Sequence, residues 1–114
     1  MKSTYLRFLQ LLHVVDGNST QLVDIDEVAK QLLNVIALHH AQGKTLTVTE
    51  EMALGSVASP ATIHRKLDDL REVGLIEQIF EGKNRRTKYL VPTQAADTYF
   101  SSLGDVIKQT FASE

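Results

Sequence analysis

Seven of the 12 basic residues in this chain fall between positions 65 and 88: Arg65, Lys66, Arg71, Lys83, Arg85, Arg86 and Lys88. Cationic side chains gathered on one face neutralise phosphates and release their counterions. Arginine also matches the O6 and N7 acceptors of guanine. Lys83, Arg85, Arg86 and Lys88 put four positive charges within six residues, beside a glycine. That pattern suits contact with phosphates or a minor groove. Other chemistries find less support. His13, His39, His40 and His64 lack zinc-ligand spacing, so no metal is expected. Asp68-Asp69 and Glu50-Glu51 are neighbours on helices, so their carboxylates diverge and do not form an acid–base pair. No glycine-rich phosphate loop follows a strand, and there is no serine elbow. The chain is therefore read as a non-enzyme without a cofactor.

The basic residues need elements to hold them, and the apolar pattern supplies those. Tyr5, Phe8, Leu9, Leu12 and Val15 recur at helical spacing over residues 4–15, and Asp16-Gly17-Asn18-Ser19-Thr20 is a turn cluster that ends the helix. Asp24 and Glu27 have capping-box spacing. Behind them Ile25, Val28, Ala29, Leu32, Leu33, Ile36 and Ala37 mark the face of a second helix that stops at Gly43. Leu46 to Val48 reads as a very short strand. Thr47 and Glu50 repeat the capping box, opening a short helix with Met52 and Ala53 inward, whose end is loosened by Gly55 and Ser56. Ser59 is a suitable N-cap with Pro60 at the first helical position. Ile63, Leu67, Leu70 and Val73 then face the core, and Gly74 closes that helix. Thr62, His64, Arg65, Lys66 and Asp69 are left mostly outside, where Arg65 could simply pair with Asp68 or Asp69 on a solvated face. Leu75 to Phe80 and Thr87 to Val91 read as strands joined by a hairpin with a basic tip. Pro92 ends the second strand and Thr93 caps a last helix. There Tyr99, Phe100, Leu103, Val106, Ile107 and Phe111 recur every three or four residues.

Composition agrees with this plan. The 114 residues, 43% apolar and 23% charged, are enough for one domain with its own core. Net charge is −2, which argues against a nonspecific nucleic-acid coat, so the local basic concentration matters more than the sum. The chain has no cysteine, no apolar run near the ~20 residues of a membrane span, and no clean apolar signal core at its start. A cytoplasmic protein without membrane contact is expected.

The order helix, helix, short strand, helix, helix, strand, strand, helix resembles the winged helix-turn-helix regulators of the MarR type over roughly residues 30–95. Ser59-Pro60-Ala61-Thr62-Ile63-His64-Arg65-Lys66-Leu67 takes the place of the start of the recognition helix. Residues 81–91, Glu81 to Val91, take the place of the wing, followed by Thr93. The fold class implied is mainly α with a small β wing (α+β), a single domain over 1–114. Its winged-helix core spans 24–92, and terminal dimerisation helices lie in 1–20 and 93–114. The resemblance implies a homodimeric regulator of transcription that binds double-stranded DNA sequence-specifically. Ser59, Ala61, Thr62, His64, Arg65 and Lys66 would meet the major groove, with Thr62 and Arg65 nearest the base edges. Ser59 and Thr62 hydroxyls could also hold phosphate. Lys83, Asn84, Arg85, Arg86 and Lys88 would meet the flanking backbone or minor groove. Tyr5, Phe8, Leu9, Leu12, Tyr99, Phe100, Leu103, Val106, Ile107 and Phe111 are assigned to dimerisation. Their two stripes are too short to be stable alone and too aromatic for a small core. A small-molecule effector, were one to bind, would find Tyr5, Phe8, Tyr99 and Phe100 lining the cleft between terminal helices and wing domain. The competing reading is a winged-helix module that docks on proteins and does not bind DNA.

Overall fold

The computed structural model describes residues 1–18, 25–52, 57–81, 83 and 86–112, without the side chains of Asn18 and Met52. The elements are α1 (Lys2–Asn18), α2 (Glu27–Ala41), α3 (Val48–Met52), α4 (Pro60–Glu72), β1 (Ile76–Ile79), β2 (Tyr89–Pro92) and α5 (Gln94–Ala112). The core is built where α2 crosses α4. Ala29, Leu32, Leu33 and Ile36 of α2 meet Ile63, Leu67 and Leu70 of α4, and Leu75, Ile76, Leu90 and Ala96 close the cluster. These are the positions spaced by three and four in the sequence, so the buried stripe is the helical period made visible.

Helix ends are set by local chemistry. Both α2 and α4 finish in Schellman motifs. Gly43 (φ 74°) and Gly74 (φ 82°) take the left-handed conformation. Lys44 N–H then donates to His39 O at 2.9 Å and Leu75 N–H to Leu70 O at 3.0 Å. The turn at Gly74 reverses the chain directly into β1. There β1 pairs antiparallel with β2, Ile76 opposite Pro92 and Ile79 opposite Tyr89. Thr93 joins the two ends of this unit. Its hydroxyl donates to Gly74 O at 2.6 Å and accepts from Ala96 N–H at 3.3 Å, so it caps α5 while holding the end of α4.

Several expectations need correction. Helix α1 runs on through Asp16 and Gly17 to Asn18. Turn-forming residues there are overridden because Asp16 is held by Lys30 Nζ at 3.3 Å and Tyr99 Oη at 3.0 Å. Asp24 lies outside the described residues, and the N-cap of α2 is Asp26, which accepts from Ala29 N–H at 2.9 Å. The strand expected at 46–48 reduces to a single bridge, Thr47 to Tyr89. Thr47 instead spends its side chain on the expected capping box with Glu50, reciprocal at 3.1 Å in both directions. That box starts α3 and leaves no room for a longer strand. Strands β1 and β2 are each four residues long, and β1 begins only after Leu75, whose N–H is still committed to the helix cap. Ala53, Gly55 and Ser56 lie outside the described residues.

The terminal helices differ in part from their assignment. Helices α1 and α5 pack on each other within one chain. Val106 is buried, and Tyr99 and Phe100 pack against the chain's own core, so these three serve intramolecular packing. Phe8, Leu12 and Leu103 are half-buried. Tyr5 (61% exposed), Leu9, Ile107 and Phe111 (66% exposed) remain on the outside. No helix among the described residues is long and apolar enough to cross a membrane.

Candidate nucleic-acid interface

The site is built on α4. Ser59 Oγ accepts from Thr62 N–H at 3.3 Å and donates to Thr62 Oγ1 at 3.0 Å, and Pro60 supplies a fixed φ without an orphaned donor. With its start capped and Ile63, Leu67 and Leu70 locked in the core, α4 turns a fixed edge to solvent. That edge carries Ser59, Ala61, His64 and Arg65, all exposed, while Thr62 is half-buried. Among the described residues no acid pairs with Arg65. The pairs with Asp68 and Asp69 that a solvated face would use are taken by other residues. His64 Nδ1 lies 3.5 Å from Asp68, Arg71 lies 3.9 Å from Asp68, and Lys66 lies 3.9 Å from Asp69.

Lys66 departs from its expected place. Its ammonium is 2.6 Å from the Asp26 carboxylate at the start of α2, and its side chain is only 19% exposed. The lysine stem lies along the α2–α4 junction and its head satisfies the N-cap residue. The bond from Lys66, together with the Ala29 N–H, holds the Asp26 carboxyl below its ordinary value. A lysine so engaged does not belong to the exposed edge, so the structure removes it from the candidate contacts.

The wing meets α4 along a common cleft of about 410 Å³. One wall is His64, Asp68 and Arg71 of α4, and the other is Arg86, Thr87 and Lys88. The start of α3, Thr47 to Thr49, forms its floor. Three certain cations and His64 thus surround one acid, Asp68, giving the cleft a positive balance. Lys83, Arg86 and Lys88 are exposed. Asn84 and Arg85 lie outside the described residues. Arg71 and Asp68 were not singled out from sequence as cleft residues. Their spacing from His64 at i+7 and i+4 is the signal that could have placed them on its stripe.

Two further features escaped the sequence reading. Glu51, which the sequence marks only as one of two adjacent acids with diverging carboxylates, is completely buried. Asp16, Lys30 and Tyr99 form a polar link that ties α1, α2 and α5 together. Burial, then the hydrogen bond to Asp16, pushes the Tyr99 hydroxyl above its ordinary pKa. Among the described residues no group of three or more histidines and acids is placed to hold a metal ion.

No protein-family model matches the sequence, and no curated protein matches it either. Solved structures do. RV1404 from Mycobacterium tuberculosis superposes with a TM-score of 0.61 at 17% identity, covering 90% of this chain and 68% of that one. The Staphylococcus aureus MepR–DNA complex gives 0.60 at 19% identity, covering 97% and 83%. YusO from Bacillus subtilis gives 0.58 at 19%, covering 97% and 70%. MepR is a transcription regulator of the multidrug efflux pump MepA. At these identities the likeness is one of fold, a winged helix-turn-helix.

Proposed function

We propose that this chain binds double-stranded DNA as a homodimer and regulates transcription in the cytoplasm, with α4 in the major groove and the wing on the flanking backbone or minor groove. The observation that carries the reading is the shared cleft. His64 and Arg71 of α4 and Arg86 and Lys88 of the wing line one opening, so helix and wing can meet a single polyanion together. Arg65 on the same helix, which no acid pairs among the described residues, supplies a group for base edges, and Lys83, Arg85, Arg86 and Lys88 supply phosphate contacts. The fold shared with a regulator captured on DNA supports the same conclusion.

The homodimer reading is supported by the apolar groups that α1 and α5 leave outside. Tyr5, Phe8, Ile107 and Phe111 line an open apolar depression, and Leu6, Leu9 and Val14 extend the apolar surface along α1. Burying this surface against a second copy removes it from water and sets two α4 helices for paired half-sites.

Fluorescence anisotropy with labelled duplexes tests the reading. Affinity should fall steeply with salt, and Arg86→Ala combined with Lys88→Ala should lower the salt slope by about two on every sequence. Arg65→Ala should instead narrow the difference between preferred and random duplexes, by about 1–3 kcal/mol at one base position. Duplexes selected from a random pool should share a palindrome. Absence of duplex binding at low salt overturns the proposal and favours a protein-docking module.

A further inference from the structure

Glu51 plays no part in the interface described above, yet it occupies an unfavourable place in the fold. It is 0% exposed, and neither carboxylate oxygen meets a hydrogen-bond donor among the described residues. A carboxylate without water, donor or cation is strongly disfavoured relative to its neutral acid. Its element sharpens the problem. Helix α3 is described over five residues, Val48–Met52. It is held by the Thr47–Glu50 box, by Val48 N–H on Lys88 O, and by its seat against α4. Val48, one turn before Glu51, packs on the core cluster, so Glu51 shares the inward stripe.

Among the described residues, the charged and titratable groups around α3 do not compensate it. Glu50 is turned to the Thr47 N–H. On α4, His64, Asp68 and Arg71 line the open cleft, as do Arg86 and Lys88 of the wing. Tyr89 of β2 stands opposite Thr47. Burial alone pushes the Glu51 carboxyl from 4.5 up to about 7, with no charged partner contributing.

We propose that Glu51 makes the helix-turn-helix sensitive to protons. As the neutral acid it lets α3 stay seated on α4, and as the carboxylate it favours a form in which α3 leaves its seat to hydrate the charge, which weakens duplex binding. The proposal rests on the reading of this chain as a duplex binder. Its sign follows from proton linkage. The seated form holds the Glu51 proton more tightly than a hydrated form does. Seating is therefore fully favoured below pH 4.5, weakens as pH rises toward about 7, and loses nothing further above that. The gap of about 2.5 pH units between those values limits the effect on seating to about 300-fold. Duplex affinity follows seating to the extent that the unseated form becomes populated.

The test compares the unaltered protein with Glu51→Gln, which cannot ionise, between about pH 5.5 and 8.5 at fixed ionic strength. Anisotropy of a fluorescein-labelled mixed-sequence duplex reads binding, and the Glu51 side-chain carboxyl ¹³C shift reads ionisation in the free protein. Affinity of the unaltered protein should fall about ten-fold or more through this range, and Glu51→Gln should lose that part of the slope. Any other group that titrates in this range is present in both proteins, so its contribution cancels in the comparison. Glu51→Leu, which removes the polar group, should behave as Glu51→Gln does and covers the case in which the amide fails to fold. Equal slopes in all proteins, or a Glu51 carboxyl titrating in the ordinary carboxylate range, overturn the proposal while leaving duplex binding intact. Absence of duplex binding by every protein at every pH overturns the duplex reading itself, and this proposal with it.

Discussion

Replacing Lys66 by methionine separates a structural cation from a DNA-contacting one. In sequence Lys66 sits beside Arg65 on the same helix, and both belong to the basic run. In the fold Lys66 reaches Asp26 at 2.6 Å and is 19% exposed, whereas Arg65 is exposed and unpaired among the described residues. Asp26 also caps α2 through Ala29 N–H at 2.9 Å. Loss of an N-cap costs about 1 kcal/mol. The ion pair, with Asp26 half open to solvent, contributes about 0.5 kcal/mol after screening. Asp26→Ala should therefore destabilise by about 1.5 kcal/mol, a drop of roughly 6 °C in Tm for a domain of this size. Asp26→Asn keeps a capping oxygen and should cost about 0.5 kcal/mol. Lys66→Met keeps the packed stem and should cost a similar ~0.5 kcal/mol. Because Lys66 holds the Asp26 carboxyl below its ordinary 3.8, this contribution is present above pH 3.8 and is lost as pH falls through the lower folded-state value. Urea unfolding at neutral and acid pH reads stability, and salt-dependent anisotropy on a labelled duplex reads contact. Lys66→Met should leave the salt slope unchanged, whereas Arg65→Ala should lower it by about one if Arg65 also meets phosphate. A salt slope that falls by about one in Lys66→Met without loss of stability refutes the argument.

Two other outcomes follow from the helical ends of the molecule. Tyr99→Phe removes the bond to Asp16 and should cost about 1–2 kcal/mol in urea unfolding, since Asp16 keeps Lys30 but loses its neutral donor. In the intact protein the phenol of Tyr99 should stay protonated above the ordinary tyrosine range, as read by absorbance near the phenolate band. Tyr5→Glu combined with Phe111→Glu places charges on the outer apolar face of α1 and α5. Sedimentation should then show a monomer where the unaltered chain shows a dimer, with no more than about 0.5 kcal/mol change in monomer stability, because both side chains are exposed.

The local grammar of this chain is readable because it acts within a few residues. Ser59-Pro60, Thr47 with Glu50, Gly43, Gly74 and Thr93 each do in the fold what their types and neighbours imply. The stripe of Ile63, Leu67 and Leu70 is a period of one helix and needs no partner to be seen. The expectations that failed depend on residues distant in sequence. Asp16 continues α1 because Tyr99, 83 positions away, donates to it. The burial of the Lys66 head follows from Asp26, 40 positions earlier, which it reaches across the α2–α4 junction. Contacts of that span carry no periodic trace.

Amino-acid order by itself therefore settled where α4 and α5 start, where α2 and α4 stop, which core stripes turn inward, and that the cations concentrate between 65 and 88. Tertiary structure decided which of those cations share an opening and which one is spent inside. It also decided that Val106, Tyr99 and Phe100 pack on their own chain, and that Glu51 is shut away from water. The reason is physical: the energy of a charge or an apolar ring depends on what surrounds it in space, and only the packing of α2, α4, α1 and α5 determines those surroundings.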